Sequence, residues 1–249
     1  MQPVGQACEL CGLPVSCNDL DTHVQALAER AHRGIGCWLV TLNTEMIARG
    51  VREPEYWDLV RQADIITADG MPLVWASKFK RTGVEIAGRT TGVDLVEAML
   101  RLGDVPRFAV IGGKNPLATI GRYGERASEA CAFVFDGKVD LTDAQLAFFC
   151  DELTLHRVRV VFIALGVPKQ DRLALFLRQR MPHLILIGIG GTFEILGPDG
   201  GRAPQWMQKS GLEWLYRLIK EPRRLWHRYL ISYPRGIWRL VTDCLGAAR

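Results

Sequence analysis

Apolar runs recur along the first 190 residues, and a helical pattern follows nearly every one. The runs are GCWLVTL (36–42), DIIT (64–67), RFAVI (107–111), CAFVF (131–135), VRVVFIAL (158–165) and HLILIGI (183–189). The last two are almost unbroken Val, Ile and Leu, as in strands buried on both faces. Between the runs, apolar positions at helical spacing predict helices over 21–32, 53–62, 92–102, 116–129, 142–154 and 169–180. Leu13, Val15 and Cys17 alternate as one face of a further strand, and Asp21 is placed to cap the helix after it. Alternation of this kind predicts an α/β fold with a mostly parallel, doubly wound, Rossmann-like sheet. Three parts are expected: an N-terminal extension (1–12), an α/β core (13–201) and a basic helical C-terminal appendage (202–249). In the appendage, Ser210 is expected to cap GLEWLYRLIK and Pro222 to open EPRRLWHRYLI. Arg224 and Arg228 fall four apart on one face, and Trp214, Leu215, Leu218, Leu225, Tyr229 and Leu230 supply the apolar side.

Polar punctuation gathers where the predicted strands end. TLNTEM follows the first, ADGMP the second, GGKNP the third, DGK the fourth, GVPKQD the fifth and GGTF the sixth. In open α/β sheets that edge binds ligands. Asp69 therefore falls at the rim of a crevice, since a core position would not accept it unpaired. The glycine turns VIGGKNPLATIG and GIGGTFEILG lack the G-x-G-x-x-G and G-x-x-x-x-G-K-[ST] spacings. They read either as tight turns or as backbone N–H groups presented to a phosphate.

Charge sharpens the picture. The net charge of +4 hides an asymmetry: residues 202–249 hold ten Lys and Arg against three acids, leaving −3 for the first 201. Four of the seven tryptophans also lie there (Trp206, Trp214, Trp226 and Trp238). A basic, Trp-rich tail suits an anionic partner, whether nucleic acid, an anionic membrane face or a diphosphate. No apolar run approaches the roughly 20 residues that span a bilayer, and no signal-peptide pattern opens the chain, so a cytoplasmic protein is expected. Seven scattered cysteines do not suggest a disulfide framework. Cys8, Cys11, Cys17 and His23 could make a Cys3His zinc set, but a strand plus a loose thiol pair is the simpler reading. Asp19-Leu20-Asp21 has the D-x-D form of a divalent-metal site and is more simply a helix cap.

Eight stretches carry a more specific signal: TLNTEMI (41–47), ADIITADGMPLVWASK (63–78), RTTGVDL (89–95), FAVIGG (108–113), ALGVPKQD (164–171), GIGGTFEILG (188–197), RAPQWMQ (202–208) and GLEWLYRLIKEPRRL (211–225). Together they resemble the WecG/TagA/CpsF glycosyltransferases, glycosyltransferase family 26. The match runs from about residue 13 to about 232 and leaves Cys8 and Cys11 outside it. The resemblance implies an inverting transfer of a sugar from a UDP-sugar to a polyprenyl-diphosphate-linked sugar at the cytoplasmic face of the membrane. Relatives handle N-acetylmannosamine, N-acetylmannosaminuronic acid or glucose, for teichoic acid, common antigen, capsule or exopolysaccharide. No metal, other cofactor or nucleic acid is expected, and a homo-oligomer is left open. The resemblance assigns the general base to Asp69 and active-site places to Thr41, Asn43, Thr67, Gly70 and Arg89. Gln170 matches the family's substrate-contacting glutamine, and Arg217, Arg224 and Arg228 match its phosphate-binding arginines. Lys169, Gly190, Gly191 and Arg202 are further candidate substrate contacts; on their own residues, Gln170 also reads as a helix-start surface amide, Lys169 as a solvated charge and Arg202 as a bridge between tail and body. Asp171 stands where Glu is more usual, and His227 where another basic residue is expected.

The implied chemistry suits the residues. An inverting transfer needs one base rather than a carboxylate pair, and arginine forks can offset charge building on a departing diphosphate. A nicotinamide-dependent oxidoreductase would need the glycine fingerprint with an acid about 20 residues on. A non-catalytic adaptor would leave the polar strand ends unexplained.

Overall fold

The computed structural model describes residues 5–80, 83–198 and 200–246, without the side chains of Lys209 and Arg224. The described chain begins with an antiparallel hairpin of β1 (Ala7–Leu10) and β2 (Leu13–Ser16). There follow α1 (Leu20–Arg33), β3 (Cys37–Leu42), α2 (Thr44–Arg52), α3 (Pro54–Val60), β4 (Ile65–Ala68), α4 (Met71–Phe79) and α5 (Gly92–Leu100). Next come β5 (Phe108–Gly112), α6 (Pro116–Gly121), α7 (Glu125–Ala130), β6 (Cys131–Phe135), α8 (Asp143–Leu155), β7 (Val160–Ala164), α9 (Lys169–Arg180) and β8 (Ile185–Gly188). Short helices α10 (Thr192–Leu196), α11 (Gln205–Lys209), α12 (Glu213–Lys220) and α13 (Pro222–His227) lead through a π-helical turn (Arg228–Ser232) into α14 (Tyr233–Cys244).

Strands β3 to β8 form one parallel sheet in the order β4-β3-β8-β7-β5-β6. Side chains alternate across each strand, so the sheet divides the core in two. Trp38, Val40, Ile66, Ile111, Ile163 and Leu186 enter one cluster; Leu39, Ile65, Val110, Phe162, Ile185 and Ile187 enter the other. All six apolar runs are strands of this sheet, as the sequence predicts.

Several local expectations are corrected. The N-terminal thiol pair is not loose: β1 pairs with β2, and Cys8 and Cys11 are buried in the core. His23 turns its Nε2 to Ser16 Oγ at 2.9 Å, and no group of three or more His, Cys, Asp and Glu that could hold a metal occurs among the described residues. The cap of α1 is Asp19, which accepts the Thr22 N–H at 2.9 Å; Asp21 lies in the first turn. The expected helix 116–129 breaks into α6 and α7 where Gly124 takes φ 96°, a conformation that glycine alone adopts freely. Ser210 follows α11 and bonds back to Trp206 O, while the cap position of α12 is Leu212. Pro222 does open α13, but Leu230 is exposed.

The appendage is joined to the body. Helix α14 packs on α2, and Leu240 enters the same core cluster as the hairpin. Asp243 Oδ2 accepts both the Cys11 N–H at 3.0 Å and Lys80 Nζ at 2.7 Å, and Lys80 also donates to Glu9 O.

Candidate active site

Asp69 is fixed by its backbone. Strands β3 and β4 pair Thr41 with Thr67 and Leu42 with Ala68, and the ladder ends with Asp69 N–H donating to Leu42 O at 2.7 Å. Thr67 Oγ1 donates to Thr90 O at 3.0 Å, and Thr90 N–H to Ala68 O at 2.8 Å, so the 89–91 segment crosses the end of β4. Gly70, at φ 127°, turns the chain from Asp69 into α4, a backbone state that side chains resist. The Asp69 carboxylate has no hydrogen bond to a described residue, and burial pushes it up to about 7. Arg228 and Arg89 pull it down, whereas Glu213 and Asp94 push it up.

The end of β8 is shaped from within. Thr41 Oγ1 donates to Gly188 O at 3.1 Å, Gly190 N–H donates to Gln170 Oε1 at 3.1 Å, and Thr192 Oγ1 donates to Ile189 O at 2.7 Å. A Cβ at Gly188 would stand 2.7 Å from Gln170 Nε2, so a side chain there would displace that amide. Gln170 is thus buried as the clamp of the Gly188–Gly191 turn. Beside it Asp171, also buried, accepts the Tyr56 hydroxyl at 2.9 Å; burial pushes its carboxyl up to about 7. Asn43 caps α2 through Oδ1, accepting from Glu45 and Met46 N–H. Lys169 donates to Val139 O at 2.7 Å. Asn43 and Lys169 therefore have structural bonds of their own.

The appendage closes over this edge through charge. Arg89 holds Glu213 at 2.7 Å and Gln208 at 3.2 Å. Arg202 is engaged by Asp94 and, at 2.8 Å, by Glu97. Arg228 Nε lies 2.8 Å from Glu45 and its guanidinium sits over the Tyr229 and Tyr233 rings. Arg89 and Arg202 therefore tie body to tail, and Arg228 is the cation with the larger effect on Asp69. Arg224 was expected to join them, but its side chain lies outside the described residues.

A cavity of about 490 Å³ opens beside this crevice, walled by Lys114, Asn115, Phe193, Glu194, Arg217 and Lys220 among others. Gly191 borders it: a Cβ there would stand 3.4 Å from Glu194 Oε2 and 3.9 Å from Arg217 Nη2. Tyr229 lies in the electrostatic field of both Arg217, a wall of the cavity, and Asp69, which is not a wall. Lys114, Lys220, Glu194 and Glu213 are not singled out from the sequence. Glu194 and Glu213 sit inside two of the matching stretches, where the glycines and arginines drew attention instead.

Residues 8–249 match the glycosyl transferase WecG/TagA/CpsF family. The chain is 28% identical over 203 residues to the N-acetylglucosaminyldiphosphoundecaprenol N-acetyl-beta-D-mannosaminyltransferase of Bacillus subtilis (strain 168), an alignment covering 81% of this chain and 77% of that protein. The family match is wider than the expected 13–232: it takes in Cys8, Cys11 and all of α14, in keeping with their place in the core. With sheet, crevice and family match in agreement, the protein is an enzyme and belongs to the WecG/TagA/CpsF glycosyltransferases.

Proposed function

We propose that the enzyme transfers a hexose or N-acetylhexosamine, with inversion, from a UDP-sugar to a polyprenyl-diphosphate-linked sugar. N-acetylmannosamine, N-acetylmannosaminuronic acid and glucose are the candidate sugars. The name of the Bacillus subtilis relative supports the first and a lipid-diphosphate acceptor. The observation that carries the reading is Asp69: a carboxylate without a hydrogen-bond partner among the described residues, pushed up to about 7, at the sheet's carboxyl edge beside Arg228.

In this reading Asp69 takes the proton of the acceptor hydroxyl. The freed oxygen bonds to the anomeric carbon from the face opposite the diphosphate. The bond from that carbon to the diphosphate oxygen breaks, and UDP leaves. Arg217, Lys114 and Lys220 line the neighbouring cavity and meet the charge that builds on the leaving group. We assign no step to a metal. Tyr229 and the Arg89–Glu213 pair cover the crevice from the appendage side and limit entry of water.

The lipid acceptor calls for a membrane-facing surface, and the appendage suits one. Helix α14 exposes Ile237, Trp238, Val241 and Leu245, while Trp206 and Trp226 are exposed nearby in sequence with Arg223 and Arg235. No helix among the described residues is long and apolar enough to cross a membrane. Peripheral binding to an anionic leaflet is the mode we propose.

The test is UDP release from a panel of UDP-sugars with a short-chain polyprenyl-diphosphate-sugar acceptor, with and without EDTA. Acceptor-dependent release that survives EDTA and collapses in Asp69→Asn is the expected outcome. Release undiminished in that variant removes Asp69 from the chemistry, and release that stops with EDTA overturns the metal-free reading.

A further inference from the structure

We propose that Glu194 reads the ribose hydroxyls of the donor nucleotide, which makes it the residue that selects a ribonucleoside diphosphate over its deoxy counterparts. The inference rests on the UDP-sugar reading above. Glu194 Oε2 is sealed from solvent and has no hydrogen-bond partner. Leaving a buried acceptor unpaired is costly, and more so for a carboxylate. Glu194 makes no ion pair with Arg217 among the described ion pairs, although both lie beside Gly191 on the wall of the same cavity.

The composition of that wall narrows the ligand. Lys114, Lys220 and Arg217 favour phosphate. A carboxylate among them repels phosphate and needs donors instead, because an ionised carboxylate only accepts. A ligand that is anionic at one place and offers paired hydroxyls close by meets both demands. A nucleoside diphosphate does so through its ribose diol.

Position favours the ribose over the transferred sugar. Asp69 follows β4, and Glu194 follows β8, two places along the sheet. Neighbouring strands lie roughly 4.8 Å apart, so the two strand ends are about 10 Å from each other, and Glu194 lies in α10, a further turn beyond the end of β8. A diphosphate spans a distance of that order between the reacting carbon and the ribose. With the anomeric carbon at Asp69, the part of the donor on the Glu194 side of the diphosphate is the ribose.

The experiment is calorimetric titration of the full chain with UDP, 2′-deoxy-UDP and 3′-deoxy-UDP, for the wild type, Glu194→Ala and Glu194→Gln. The wild type is expected to bind UDP at least about tenfold more tightly than the deoxy analogue whose hydroxyl Glu194 holds. Glu194→Ala is expected to lose roughly tenfold to a hundredfold in UDP affinity while its affinity for that analogue moves by less than about threefold, so the discrimination disappears. Glu194→Gln keeps the shape and one acceptor oxygen; it is expected to show reduced discrimination even if the alanine variant does not fold. Discrimination that persists in both variants, or equal losses for all three ligands, overturns the role of Glu194. A wild type that binds none of the three overturns the UDP-sugar reading itself.

Discussion

Asp69 shows how one residue's surroundings set its chemistry. Burial raises its carboxyl to about 7, near the working pH of a general base. The reactive form is the carboxylate, so kcat/KM is expected to rise with pH through about 7 and level off above it. Asp69→Asn should lower kcat by about 10²- to 10⁴-fold, the range for a lost general base, with little change in donor KM. Arg228 is the largest influence holding the carboxyl down. Arg228→Gln should therefore move the acid limb of the profile to higher pH, and an unmoved limb would show that Arg228 does not act on the base. Asp171 offers a contrasting test, since it is buried and its carboxylate accepts the Tyr56 hydroxyl. Its folded-state value of about 7 exceeds the unfolded carboxylate value near 4, so the native state holds the proton more tightly. The stability this contributes is present below about pH 4 and lost as pH rises to about 7, at up to about 1.4 kcal/mol per pH unit. Denaturant titrations of Asp171→Asn across that window should show the variant gaining on the wild type as pH rises.

At the scale of elements, the contact between α14 and α2 is the least forgiving. A Cβ at Gly236 would stand 2.0 Å from the backbone oxygen of Thr44, so α14 can lie this close only because that position has no side chain. Gly236→Ala should cost about 1–3 kcal/mol, the range for an overpacked contact, read as a lower denaturation midpoint. It should also lower activity, because Asn43, which caps α2, lies beside the crevice. The sheet was legible in the sequence because both of its faces are buried, which leaves long Val/Ile/Leu runs such as 158–165. The helices α2, α4 and α10 were not, because they are short, begin at strand-end turns and bury residues such as Thr44, Ser77 and Thr192 that do not mark an apolar stripe. The motifs located the site's edge, but not which side chains are bound internally. Gln170 reads as a substrate contact or a surface amide at a helix start, yet its partner is the Gly190 N–H, 20 residues on. Arg89 reads as a ligand cation because Glu213 lies far from it in sequence, whereas Arg202 makes the tail-to-body bridge that was its other reading.

The whole molecule divides its charge, with a mildly acidic body and an appendage of net +7. Flotation with vesicles should show binding that increases with the fraction of anionic lipid and falls as salt rises from 0.05 to about 0.5 M. Binding equal on neutral vesicles would assign attachment to the exposed tryptophans alone. The hydrogen bond from Cys11 to Asp243 has a further consequence. It joins residues 232 positions apart, so during synthesis the hairpin has no native partner at that point until Asp243 has been made. At 5–20 residues per second a ribosome needs roughly ten to fifty seconds to cover that distance. For that interval the hairpin, with Cys8 and Cys11, waits beside an unfinished core, and α14 completes the packing around β1 and β2 only once it has been made.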